Sequence, residues 1–175
     1  ETKKALRELS AKGCKSLIVD LRGNPGGLVS SAVEVADLFL PKDKAIAFIT
    51  YRKESGCKTV LWSKSDDADV EWPLVLLINE GTSGAAELVA GALQAHGRGK
   101  LLGHRTLGVN AIQTIHPLDG GNAVRMSVAE YNLPGMKQFP EQGLSPDIQM
   151  HLSEEDLIQT YQNSNPCMQT GPLEH

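Results

Sequence analysis

The sequence predicts an α/β fold with a central, mostly parallel sheet and flanking helices. Three observations point there. Apolar runs of strand character alternate along the chain with segments of helical period, the order that βαβ units produce. One of those runs, PLVLLIN at 73–79, is apolar almost throughout, as strands covered on both faces are. Two strand-to-helix junctions, GNPGG at 23–27 and EGTSG at 80–84, are built from glycine and small polar residues, the chemistry of tight turns.

The elements follow in order. Thr2 to Lys12 reads as a helix with Ala5, Leu6 and Leu9 on one face. Residues 16–23 (SLIVDLRG) form a short strand that the GNPGG turn ends. From Leu28 to Leu40, Val29, Ala32, Val33, Ala36, Leu38, Phe39 and Leu40 recur with helical period, and Pro41 stops the run. Strands at 45–52 and 58–63 are joined by ESGC as a hairpin turn, and KSDDADVE at 64–71 is a solvated acidic loop. After the 73–79 strand, Ala85 to His96 is a helix with Leu88, Val89, Ala92 and Leu93 inward. GKLLGHR at 99–105 supplies a strand, and 111–118 pairs with 123–133 across a DGGN turn. Residues 135–150 are mostly loop. SEEDLIQTYQ at 153–162 is a closing helix, with Ser153 as N-cap and Glu154 and Glu155 favourably placed in its first turn. A core domain thus spans 1–162, 163–172 reads as a flexible tail, and the terminal LEH at 173–175 as the remnant of an expression tag.

Composition narrows the function classes. The 175 residues suffice for one domain with a core, and 41% apolar with 22% charged content is that of an ordinary globular protein. A net charge of −4 offers no electrostatic drive toward nucleic acid or a membrane surface. No apolar run reaches the roughly 18–20 residues that span a bilayer. Cys14, Cys57 and Cys167 lack metal-ligand spacing and read as free thiols. No metal or cofactor is expected.

The two glycine loops both leave strands, and in an open α/β sheet such loops tend to face one crevice. Their backbone N–H groups suit an anion or an oxyanion. Thr82 and Ser83 are the hydroxyls available there. His96, His104 and His116 show no catalytic spacing and read as surface or core residues, although triads are assembled in space. Glu87 falls in the first turn of a helix, where the dipole favours a carboxylate. Asp20, Arg22 and Asp147 stand beside turns, where loop salt bridges account for them.

Four blocks in succession carry a more specific likeness: LIVDLRGNPGGLVSSAVEVADLFL, PLVLLINEGTSGAAELVAGALQAHGRGKLLGHRTLG, IQTIHPLDGGNAVRMSVAEY and GLSPDI. Together they resemble the core of the C-terminal processing peptidases, or tail-specific proteases, over roughly residues 1–150. The resemblance implies a ClpP/crotonase-like core without cofactor, acting on unstructured protein C-termini or peptides in the bacterial periplasm or cell envelope. It also implies a PDZ domain in the full-length chain, for which these residues hold no candidate. That family uses a Ser–Lys dyad with a supporting glutamine, the lysine acting as base because burial lowers its pKa. Setting Gly81 and Glu87 on the ends of the family's nucleophile loop puts the nucleophile position at Gly84. The lysine position falls at Val109 and the glutamine at Gln113. The donors facing a peptide carbonyl would be the N–H groups of Gly26, Gly27 and Ala85.

Three readings follow. The first is a peptidase-like domain without its dyad that keeps a peptide-binding cleft as scaffold, decoy or regulator. In the second, Ser83 serves as a shifted nucleophile, with His104, His116 or Lys100 as base. The third is an acyl-thioester-binding domain, since crotonase-like oxyanion holes are also built from backbone N–H groups.

Overall fold

In the computed structural model, residues 1–52, 58–65, 71–150 and 156 are described. The apolar run of the sequence becomes β4 (Leu74–Ile78), which pairs in parallel with β1 (Leu17–Asp20) on one side and β5 (Lys100–Gly103) on the other. A two-residue strand, β8 (Ile148–Gln149), extends β5 and completes a four-stranded sheet in the order β1-β4-β5-β8. All its pairings are parallel, so each strand reaches its neighbour by a crossover, that from β4 to β5 through a helix.

Helices α2 (Val29–Asp37) and α3 (Ala85–Ala95) pack against each other. The sequence of α3 explains its position. Five of its eleven residues are alanine, the best helix former and a small one, so the helix can be enclosed on every side. Ala85 through Leu93 are all buried. Gly91 extends the logic, because a Cβ there would stand 2.1 Å from Leu133 Cδ1. The glycine lets the chain after the last long strand press against the helix. Helix α1 (Thr2–Ala11) contributes Leu6 to the core.

The other long strands form a second, antiparallel sheet, β3-β2-β7-β6, from β2 (Ala45–Tyr51), β3 (Lys58–Trp62), β6 (Ala111–Pro117) and β7 (Ala123–Asn132). The central parallel sheet is as expected; the joining of the two hairpins into a second sheet adds to it. Each hairpin carries a local signal, but their union rests on Phe48–Tyr51 pairing with Ala129–Asn132, a contact between distant segments that no local pattern encodes. The strand β4 also departs from expectation. Leu74, Leu76 and Ile78 are buried, while Val75 and Leu77 are only partly covered, so one face is fully packed. The ESGC turn, most of the acidic loop, the tail, and the 153–162 helix apart from Asp156 lie outside the described residues.

Candidate functional site

The loops at the carboxyl ends of β1 and β4 are neighbours because Asp20 pairs with Leu77. They are tied together closely. Asn79 Oδ1 accepts from Gly23 N–H at 2.8 Å and from Gly81 N–H at 3.1 Å. Thr82, wholly buried, donates its hydroxyl to Leu21 O at 2.8 Å and accepts from Asn79 N–H at 3.1 Å. One of the two loop hydroxyls is therefore structural. Ser83 N–H donates to Asn24 O at 2.9 Å. The two glycine loops do meet, with Gly26 packed directly on the Ser83–Ala85 turn.

Gly84 is the N-cap of α3 and holds φ 56°, ψ −122°, a conformation that side-chain-bearing residues adopt only under strain. A sharp strand-to-helix turn of this kind presents whatever side chain it carries at the head of a helix. Space is available: a Cβ on Gly84 would meet only Pro25 O, at 3.6 Å. Among the described residues, the N–H groups of Ala85 and Gly27 make no hydrogen bond. Gly26, expected as a donor to ligand, donates instead to Asn24 Oδ1 at 2.9 Å. The asparagine two residues back closes a turn on it.

Segment 105–110 passes beside Gly84, and a buried carboxylate links the two. Glu87 is fully buried. Its Oε2 accepts from Gly84 N–H at 2.9 Å and from Val109 N–H at 2.8 Å. Its Oε1 accepts from Gly108 N–H at 2.8 Å and from the Thr106 hydroxyl. The Tyr131 hydroxyl points its single proton between Gly84 O at 2.6 Å and Val109 O at 3.1 Å, the two carbonyls sharing it. Burial, with the Glu87 charge adding to it, pushes the Tyr131 phenol well above its ordinary range, so the group stays protonated and a donor.

Other expected residues are placed less productively. Ser83 is 9% exposed, and among the described residues its Oγ makes no hydrogen bond to a histidine or lysine nitrogen. Lys100 lies beside Val75 at the amino end of its strand, away from the 79–84 loop, and pairs with Asp147 at 3.3 Å. His116 faces Val124 on the exposed part of the β6–β7 hairpin. His104 is nearest by chain position, with its backbone N–H on Ile78 O at 3.0 Å. His96 Nε2 sits 2.7 Å from Ala45 O, a structural contact. Gln113 is exposed, its amide 3.5 Å from Ser127 Oγ. Arg22 grips Asp20 at 2.7 Å, and Asp147 also takes Leu101 N–H at 2.9 Å and the Gln94 amide at 3.1 Å. These charges hold turns in place. Thr106 and Tyr131 were not singled out from sequence, since an isolated threonine and a strand tyrosine carry no motif.

No group of three or more His, Cys, Asp or Glu able to hold a metal ion occurs among the described residues. No helix there is long and apolar enough to cross a membrane.

Residues 1–150 match the family described as Peptidase family S41. The chain is 38% identical over 145 residues to carboxyl-terminal-processing peptidase 3, chloroplastic, of Arabidopsis thaliana, covering 83% of this chain and 28% of that protein. It is 35% identical over 150 residues to the carboxy-terminal processing protease CtpA of Bacillus subtilis, covering 86% and 32%. Among solved structures it is similar to the photosystem II D1 C-terminal processing protease, with TM-score 0.74 and 35% identity over 85% of this chain and 38% of that one. The chain thus spans about a third of the length of these relatives.

Proposed function

The chain belongs to peptidase family S41, and from that premise we propose that it keeps the peptide-binding cleft of a C-terminal processing peptidase without the hydrolytic pair. Position 84 carries the reading. Its backbone has the strained geometry and open space of a residue that presents a side chain, yet it is glycine and has none. Across the site, Val109 occupies the lysine position and is 38% exposed, with no group able to take a proton. Loss of a nucleophile–base unit leaves only residual rate, a drop on the order of a million-fold.

What persists suits binding. The N–H groups of Gly27 and Ala85 can face a peptide carbonyl, and an extended peptide can add to a strand edge. The ligand would be an unstructured protein C-terminus, with a PDZ domain of the full-length protein helping to hold it. Kinship with ClpP/crotonase-like folds belongs to the same reading, supported by the parallel sheet with α2 and α3 packed together.

A rival reading makes Ser83 the nucleophile. In its favour, Ser83 adjoins position 84. Against it, both backbone groups of Ser83 are held, N–H by Asn24 O and C=O by Ala86 N–H at 3.1 Å, and among the described residues no histidine or lysine nitrogen is hydrogen-bonded to its hydroxyl. The test is an assay of the full-length protein with a fluorogenic, unstructured C-terminal peptide, run beside fluorescence anisotropy. Saturable binding without turnover is expected. Turnover that disappears in Ser83→Ala would reinstate a hydrolase, and absence of both binding and turnover would remove the cleft reading.

A further inference from the structure

Glu87 is the single charged side chain in the fully packed interior among the described residues. A carboxylate there is costly unless its oxygens are satisfied. Helix capping accounts for little of its surroundings, because only Gly84 N–H among its four donors belongs to the end of α3. The other three come from segment 106–109, some twenty residues further on. Tyr131 complements it. Glu87 binds the N–H groups of residues 84 and 109, and Tyr131 binds their C=O groups.

We propose that Glu87 and Tyr131 are positioning residues of the cleft, a two-point clamp that fixes backbone position 84 against backbone position 109 whatever side chains stand there. All four main-chain polar groups of the two residues are engaged by this pair. Around the fully buried Glu87 carboxylate such bonds reinforce one another. The shape of the site is therefore independent of a catalytic pair, and a chain carrying glycine and valine retains it. The link from the clamp to ligand affinity rests on the cleft reading above; the clamp itself does not.

Hydrogen–deuterium exchange on the full-length protein tests it, with Glu87→Gln and Tyr131→Phe beside wild type. Tyr131→Phe removes only the hydroxyl and keeps the ring edge-on to Phe139, centroids 5.2 Å apart, so it serves if Glu87→Gln fails to fold. Exchange at Gly108 and Val109 should rise about tenfold or more in Glu87→Gln. It should rise measurably in Tyr131→Phe, while Leu76 in β4 stays protected in both. Affinity for the same C-terminal peptide should weaken about tenfold with the loosening. A uniform rise across α3 and β4, or unchanged exchange at Gly108 and Val109, would overturn the clamp. Local loosening with unchanged affinity would overturn the clamp's role in holding the cleft. If wild type binds no peptide, the cleft reading fails and the exchange pattern still decides the clamp.

Discussion

A Cβ built on Gly26 would stand 2.7 Å from the backbone nitrogen of Ala85, so the first glycine loop touches the head of α3 through bare backbone. Gly26 also holds φ 91°, where L residues are strained. Gly26→Ala should therefore lose about 2–4 kcal/mol, strain and overlap together. Urea unfolding followed by circular dichroism measures it. A loss under about 0.5 kcal/mol, the size of an ordinary surface substitution, would mean that the loops are not pressed together in solution.

Position 84 should behave differently despite its positive φ. With only Pro25 O near, at 3.6 Å, Gly84→Ala meets backbone strain but no overlap, about 1–2 kcal/mol. It should be milder than Gly26→Ala.

On the proposed reading, the same geometry makes the missing pair a testable addition. Gly84→Ser combined with Val109→Lys places hydroxyl and amine on the clamped backbone, and peptide hydrolysis should exceed that of either single variant by about 100-fold. Mass spectrometry of the cleaved peptide checks it. Equal activity in the double and single variants would argue that positions 84 and 109 do not face one another as a pair.

Much of this was legible in the sequence, for physical reasons. Strand and helix periods are local, so α2, α3, β4 and both hairpins follow from spacing alone. The turn chemistry of GNPGG and GTSG marks the two loops that meet, since glycine is needed where backbones touch. Illegible were features made by distant pairing: the β2–β7 junction, and the convergence of Glu87, Thr106 and Tyr131. In sequence Glu87 reads as a helix-start carboxylate and, by resemblance, as the end of the nucleophile loop; its other donors lie in a segment with no periodicity. The occupation of Gly26 N–H by Asn24 was within reach, as Asn-x-Gly is a turn with a known side-chain acceptor.

Acid should loosen the protein through identifiable carboxylates. Burial raises the Asp147 carboxyl, but bonds from Leu101 N–H, the Gln94 amide and Lys100 outweigh it and hold the group below its ordinary range. The bond from Arg22 does the same for Asp20 against a smaller opposing effect of burial. A depressed folded pKa means stabilisation present above the unfolded value of about 4 and lost as pH falls through the folded one. The urea midpoint should thus drop between pH 6 and pH 3, and Asp147→Asn should narrow that drop. An identical drop in Asp147→Asn would show that Asp147 contributes nothing to it.

Thr106 offers the sharpest separation of shape from hydrogen bonding. It is 4% exposed, its hydroxyl donates to Glu87 Oε1, and it accepts from Leu144 N–H at 2.7 Å. Thr106→Val preserves volume but leaves Glu87 Oε1 with Gly108 N–H alone and the buried Leu144 amide without its acceptor, at a cost of about 2–4 kcal/mol. Thr106→Ser loses a methyl group and keeps both bonds, about 1 kcal/mol. If packing governed the position, valine would be the gentler change. The expected order in thermal unfolding is the reverse, with the serine variant closer to wild type, because the interior there is organised around a charge that needs its donors.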